Sequence, residues 1–453
     1  MGNHAQCAGV PFVVDSRDVD ASDASKPFVG DFNPQSLGAF VVKPRGLFTD
    51  VVRMPADPIL NTAAMYDQDT DPTKINLAAG AYRTEEGKPY VLPVVRKAEA
   101  ETWAETRTNK LDKECSPIDG PPALKTLAQE LCFGAAANSL SAERVASVQT
   151  LSGTGALRLC GEFALMHLQP SSHAIYVSEP AWGNHAVLFE KCGLTVTTYP
   201  YWNEKTQTLD FQAMTGKLAQ AAPGSMVLLQ ACAHNPTGMD LTEFQWRDLL
   251  ETLRIKHFIP IIDCSYQGFA SGDLDRDALA IRVFDEAELE FFVAQSFTKN
   301  MGLYGERIGM LHAVCASKER AEAVLSHLKA AIRPMYSSPP VHGARLVVRI
   351  LGDPAMCAEW RQQLQDMVDR LVDLRKRLRS GVEAKGTPGN WDHITKQVGM
   401  FACTGLSTAQ CERLIQKHHM YLLTSGRISL AGLNHDNISR VVDAVDEVVR
   451  AFK

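Results

Sequence analysis

No two of the eleven cysteines form a CxxC pair, and none falls at a Cys/His spacing suited to zinc. Scattered thiols in odd number exclude a disulfide-stapled fold and fit a reducing compartment. The chain also lacks any run of about 18 apolar residues, so no transmembrane segment is expected. Basic excess is missing too: a net charge of −6 and a pI near 6.1 give no general attraction for nucleic acid or anionic lipid, and no nucleic-acid partner is expected. Small acidic metabolites stay compatible, because a few local arginines suffice to bind them. Internal repeats and low-complexity tracts are likewise absent.

What is present, 45% hydrophobic and 22% charged residues over 453 positions, supports a sizeable core in more than one domain. Residues 1–45 are rich in Asp, Ser, Gly and Pro without sustained periodicity and read as a flexible extension. Asp15, Asp18, Asp20, Asp23 and Asp31 make this stretch unlike an Arg-rich, acid-poor transit peptide, so a cytoplasmic protein is expected. The start MGNHAQC offers Gly2 and Cys7 for lipidation, but Gln6 stands where the myristoylation pattern wants Ser or Thr; a lipid tether is the alternative.

Beyond residue 45 short apolar runs alternate with helical patterns. AIYVSEP (174–180), LTVTTYPYW (194–202), MVLLQACAHNPTG (226–238), HFIPIIDCSYQGF (257–269), FFVAQSF (291–297) and IGMLHAVC (308–315) read as strands. TEFQWRDLLETLRIKH (242–257) reads as a helix, and the recurrence of Trp360, Leu364, Met367, Leu371, Leu374 and Leu378 marks a long amphipathic one that ends near KGTPGN. This alternation predicts an α/β fold with a mainly parallel sheet covered by helices on both faces. We expect an extension over 1–45, a large domain over 91–344, and a smaller α+β domain built from 46–90 together with 345–453, which includes the long helix.

Ligands bind beyond the carboxyl ends of strands in such sheets. Asn235 follows MVLLQACAH, Asp263 and Tyr266 follow HFIPII, and Ser296 and Lys299 follow FFVAQ. LSGTGALRLCGEFALMHL (151–168) opens a helix with Ser152, Gly153 and Thr154, where backbone N–H groups and hydroxyls suit a phosphate. An ordinary Ser/Thr N-cap would look the same. Arg158 stands where a dinucleotide fingerprint needs its third glycine, and no GK[ST] follows. A buried Asp263 needs a partner, and a structural ion pair would serve. Lys299 alone would be a solvated turn lysine, but buried it becomes a nucleophile for aldehydes. Together, a phosphate cradle, a buried acid and an amine at strand ends suit pyridoxal 5′-phosphate, held by a lysine Schiff base with an acid on its pyridinium nitrogen.

The segments INLAAGAYRTEEGKPYVLPVVRKAE, LSGTGALR, EPAWGNH, AHNPTG, IDCSYQGFASGD, SFTKNMGLYGERIG, SSPPVHGAR and SGRISLAGL, in this order, resemble the aspartate aminotransferases among the fold-type I pyridoxal-phosphate enzymes. The resemblance implies a seven-stranded-type sheet sandwiched by helices, a homodimer, and transamination of L-aspartate and 2-oxoglutarate to oxaloacetate and L-glutamate by a ping-pong cycle. Lys299 would be the Schiff-base lysine and proton shuttle. Asp263 would keep the pyridine nitrogen protonated with His185 behind it. Tyr266 and Asn235 would reach the phenolic oxygen, and Trp182 would stack on the ring. Ser152, Gly153, Thr154, Ser296 and Arg307 would hold the phosphate. Arg427 would grip the substrate α-carboxylate, Gly80 would let the backbone approach it, and Arg333 would reach from the neighbouring subunit to the distal carboxylate.

One departure stands in KECSPIDGP: the family typically has tyrosine where this chain has Cys115. A lost hydrogen bond to the phosphate would weaken cofactor retention by about 1.5–3 kcal/mol unless Ser116 or water substitutes. A broad-specificity enzyme that also takes aromatic acids, and a non-catalytic scaffold of the same fold, are the competing expectations.

Overall fold

The computed structural model describes residues 46–54, 57–169 and 171–452. The extension over 1–45, with Gly2 and Cys7, lies outside the described residues. Residues 46–54 form a turn, in which the Thr49 N–H donates to Gly46 O at 2.9 Å and the Val51 N–H to Phe48 O at 3.0 Å.

The remaining residues are organised by one sheet of seven strands: β1 Val145–Leu151, β2 Ala174–Glu179, β3 Thr195–Pro200, β4 Met226–Gln230, β5 Ile259–Cys264, β6 Phe291–Ser296 and β7 Ile308–Val314. Their spatial order is β1-β7-β6-β5-β4-β2-β3. Only β7 runs against the others, pairing antiparallel with both β1 and β6. The expected mainly parallel sheet is therefore present, with its reversed strand inside it.

Alternation of side chains explains why both faces are covered. Val227 and Leu229 of β4 point into a cluster with Trp246, Leu249 and Leu253 of the helix Glu243–Ile255. Met226 and Leu228 of the same strand point into another, with Leu157, Leu159 and Phe163 of α1 (Ser152–Phe163). Each fully buried Leu or Phe contributes about 1.5–3 kcal/mol to this sandwich.

The long amphipathic pattern becomes α2, Pro354–Ala384, which buries Trp360, Leu364, Met367, Leu371, Leu374 and Leu378 as expected. It also reaches the turn after β6: the Trp360 indole N–H donates to Asn300 O at 2.7 Å. A parallel pair, Ile75–Asn76 with Met420–Tyr421, joins early and late parts of the chain, and an antiparallel pair, Phe401–Cys403 with Arg427–Ser429, lies within the late part. Among the described residues no helix is long and apolar enough to cross a membrane.

Candidate active site

The carboxyl ends of β1, β4, β5 and β6 converge on a cavity of about 240 Å³. Gly80, Ser152, Gly153, Thr154, Trp182, Asn235, Asp263, Tyr266, Ser296, Lys299, Arg307 and Arg427 all line it. His185 sits one layer back, and Arg333 lies elsewhere.

At one end three hydroxyls meet. Ser152 Oγ is 3.0 Å from Ser296 Oγ and 2.7 Å from Thr298 Oγ1, and the Thr298 N–H donates to Ser296 Oγ at 3.2 Å. The ordinary N-cap alternative for Ser152 does not hold: Leu151 takes that position without a side-chain bond, and Ser152 lies in the first turn with φ 63°. Its hydroxyl is thereby turned across the sheet edge. Arg307 returns to the same end with φ 49°, its Nη1 donating to Tyr304 O at 3.1 Å. Gly309 makes this closure possible. It lies in register between Thr150 and Ser296, and a Cβ there would stand 2.6 Å from Gln295 O and 2.7 Å from the Ser152 carbonyl carbon.

Asp263, in β5, accepts from Ser265 Oγ at 2.5 Å through Oδ1 and from His185 Nε2 at 3.0 Å through Oδ2. The Trp182 ring meets His185 edge-on at 5.1 Å. The Asn235 amide donates to Tyr266 Oη at 3.4 Å while its Oδ1 accepts from Arg427 Nη1 at 3.2 Å. Gln230 at the end of β4 fixes this loop, accepting from the Asn235 N–H at 2.9 Å and donating to Asn235 O at 3.2 Å.

Two cations share the centre. Lys299 Nζ donates to Gly80 O at 2.5 Å and lies 4.6 Å from the Tyr304 ring centroid. Burial, with Arg427 and Arg307 adding repulsion, pulls its pKa down to about 7. Arg427 is 3% exposed, donates from Nη2 to Ala78 O at 3.0 Å, and stacks on Phe401 at 4.2 Å. Burial lowers its pKa to about 10, its Nε has no hydrogen-bond partner, and no carboxylate pairs with it among the described residues. A buried guanidinium in that state has the chemistry to receive an anion brought from outside. Tyr266 is likewise buried, which raises its pKa.

Arg333 stands exposed in the last turn of the helix Lys318–Met335, donating to Ser337 Oγ at 2.5 Å. It does not line this chain's cavity. Cys115 is exposed and lines a different cavity with Ser116, whose buried hydroxyl has no partner among the described residues.

Sequence reasoning missed Thr298, Ser265, Gln230, Tyr304 and Phe401. Thr298 and Ser265 flank residues already singled out, in SFTKN and DCSYQ, so proximity was a usable signal. Phe401 arrives from a distant segment and left none. Among the described residues no group of three or more His, Cys, Asp or Glu could hold a metal, whereas a hydroxyl cradle with an arginine, a low-pKa amine and a partnered carboxylate fit a phosphorylated aldehyde carrying a basic ring nitrogen.

The family model for aminotransferase class I and II matches residues 72–445. The chain is 48% identical over 403 residues to the chloroplastic aspartate aminotransferase 3 of Arabidopsis thaliana, covering 89% of each sequence. It is 46% identical to the cytoplasmic aspartate aminotransferase of Oryza sativa subsp. japonica, covering 90% of this chain and 99% of the relative. Among solved structures, the cytoplasmic aspartate aminotransferase of Saccharomyces cerevisiae superposes with a TM-score of 0.87 at 40% identity, covering 90% of this chain and 99% of that one. An aromatic-amino-acid aminotransferase from Burkholderia pseudomallei, covalently bound to pyridoxal phosphate, gives 0.85 at 38%, covering 89% and 99%. With the matched span running through every cavity-lining segment from Gly80 to Arg427, the chain belongs to the class I and II aminotransferases.

Proposed function

We propose that the protein transfers the amino group of L-aspartate to 2-oxoglutarate, giving oxaloacetate and L-glutamate in a ping-pong cycle with pyridoxal 5′-phosphate. The observation that carries this reading is a buried Arg427 without a carboxylate partner among the described residues, in the same cavity as Lys299 and Asp263. When bound, the cofactor supplies an electron sink for the pair released at the substrate α-carbon.

The protein's own groups do the rest. Ser152, Ser296 and Thr298 hydroxyls, the backbone at Gly153 and Thr154, and Arg307 hold the phosphate. Asp263, oriented by Ser265 and His185, holds a proton on the ring nitrogen. Tyr266 and Asn235, joined to each other in the cavity wall, would donate to the cofactor's phenolic oxygen, and Trp182 would pack against its ring. Arg427 binds the α-carboxylate through its two-pronged edge, while Gly80, whose Cβ would stand 3.7 Å from Lys299 Nζ, lets the protein backbone approach the substrate. Lys299 Nζ, its pKa drawn down to about 7 so that much of it is unprotonated at neutral pH, would take the proton from the substrate α-carbon.

The distal carboxylate falls to Arg333 of a neighbouring copy in a homodimer, which agrees with its exposed position outside this chain's own cavity. An aromatic-accepting enzyme is the second reading, favoured by the Burkholderia relative. Arg333→Leu separates them: kcat/KM for aspartate should fall by about 3–5 kcal/mol in transition-state terms while that for phenylalanine stays near wild type. Unchanged aspartate turnover would refute the role of Arg333. Protein that stays colourless with added cofactor, or whose absorption band ignores glutamate, would refute the transaminase reading itself. A cytoplasmic location, as in the rice relative, is our expectation; the Arabidopsis relative is chloroplastic, and fractionation decides.

A further inference from the structure

Arg375 lies in α2 on the same stripe as Leu371, Leu374 and Leu378, and is 3% exposed. It has no carboxylate partner among the described residues. Its guanidinium donates instead to backbone carbonyls of one segment: Nη1 to Ile394 O at 3.0 Å, and Nη2 to Gly399 O at 3.0 Å and to Phe401 O at 2.5 Å. Carbonyl partners alone compensate a buried cation poorly, and burial draws the Arg375 pKa down to about 9. A methionine would remove the buried charge but leave the Ile394, Gly399 and Phe401 carbonyls without this donor, so the cation is best explained by what it holds in place.

Gly399, in the segment it grips, has φ 82°, and a Cβ there would come within 2.5 Å of Ala233 Cβ, so the segment is pressed against the loop that carries Asn235. The Val398 N–H donates to Gly238 O at 2.7 Å, on that same loop. Phe401 then pairs with Ser429 in the short antiparallel pair whose other end joins Cys403 to Arg427. Its ring lies 4.2 Å from the Arg427 guanidinium and 6.2 Å from the Tyr266 ring, and its tip is 3.9 Å from where a Cβ on Gly80 would sit. Phe401 is thus a wall of the cavity and the stacking surface of the anion receptor, and Arg375 holds the backbone carbonyl from which that ring projects.

We propose that Arg375 is a positioning residue for the substrate carboxylate site, acting through Phe401 on Arg427. The inference rests on the reading of Arg427 as the α-carboxylate receptor. Without the three carbonyl anchors the 394–401 segment relaxes, the Phe401 ring leaves the guanidinium plane, and Arg427 loses the orientation that makes its two-pronged edge available.

The test uses cofactor-loaded full-length protein and succinate, a dicarboxylate that carries no amino group to transfer, with Kd measured by calorimetry. Arg375→Lys keeps the charge without the planar fork, and Arg375→Gln keeps one donor pair without the charge, so that one serves if the other folds poorly. Either should weaken succinate binding about 10-fold, as expected when charge-assisted hydrogen bonds are misaligned, while KM for aspartate rises more than kcat falls. Phe401→Leu should weaken binding comparably, and adding Arg375→Lys to it should cost nothing further, since both changes act on one contact. A lowered Tm with unchanged succinate Kd, or additive effects in the double variant, would overturn the inference and leave Arg375 a structural cation only. Wild-type protein that binds no succinate, or binding that Arg427→Met leaves intact, would overturn the reading of Arg427 and this inference with it; the two failures are told apart by the wild-type and Arg427 measurements.

Discussion

Gly309 offers a quantitative test of how the sheet builds the proposed phosphate end of the site. It is placed between β1 and β6, and a methyl group there would meet Gln295 O at 2.6 Å, the Ser152 carbonyl carbon at 2.7 Å and Ser152 Cα at 2.8 Å. All three are backbone atoms, so no side chain can swing aside. Overpacking of this kind costs about 1–3 kcal/mol, and backbone obstruction on two sides puts Gly309→Ala at the upper end, about 3 kcal/mol. With an unfolding entropy of about 2.1 cal/mol/K per residue over roughly 400 residues, that is a fall in Tm of about 4 °C. The cheaper relaxation pushes Ser152 outward, away from Ser296 and Thr298. Losing one charge-assisted bond to the phosphate would weaken cofactor binding by about 1.5–3 kcal/mol, roughly 10- to 150-fold. Gly305→Ala, four residues earlier, is the control, because nothing lies within 4 Å of a Cβ there; its effect should stay within about 0.5 kcal/mol. Differential scanning calorimetry and a fluorescence titration of cofactor into apoprotein read both quantities. Equal stability and equal cofactor affinity in the two variants would refute the argument that Gly309 is what lets Ser152 enter the cradle.

Three further outcomes follow from the same geometry. Thr298→Val removes the hydroxyl 2.7 Å from Ser152 Oγ at constant volume, and cofactor affinity should fall by about 1 kcal/mol, roughly fivefold; an unchanged titration would exclude Thr298 from the cradle. For Lys299, whose pKa is drawn from 10.5 down to about 7, the rate at which apoprotein captures pyridoxal phosphate should rise with pH to a plateau with its midpoint near 7, and a midpoint near 10 would contradict the burial argument. Between those two values the unfolded chain binds a proton at this lysine that the folded chain does not, so apoprotein stability from this group rises with pH across the window, and Lys299→Met should flatten that rise.

Much of this site was legible in the sequence because strands announce their own ends. Asp263 and Ser296 close apolar runs that could only be buried strands, and Lys299 follows at once, so a shared sheet edge was enough to bring them together. Partners that depend on tertiary closure were not legible. Ser152 was legible as a phosphate candidate, with a helix cap as its ordinary alternative, but the left-handed φ and the approach of Thr298 that orient its hydroxyl were not. Arg375 was hidden for the opposite reason. A periodicity count over α2 registers apolar positions and passes over an arginine in their midst, although a cation on the apolar stripe is itself a signal that carbonyls or carboxylates await it. The mainly parallel sheet followed from alternation, but the reversal of β7 did not, since a run such as IGMLHAV carries no mark of direction.

Charge explains why a chain of net −6 can serve dianionic ligands. The cavity is lined by Lys299, Arg307 and Arg427 against one carboxylate, Asp263, and that carboxylate is already engaged by Ser265 and His185. The local balance is therefore the reverse of the global one. Arg427, with its pKa drawn down only to about 10, stays charged at neutral pH, whereas Lys299 at about 7 can give up its proton. On the proposed reading, burial thus divides the two central cations into an anchor and a base. The division is reinforced from each side: the permanent charge on Arg427 is what helps to depress Lys299, so a substitution that neutralises the anchor also makes the base a weaker acid and delays its deprotonation to higher pH.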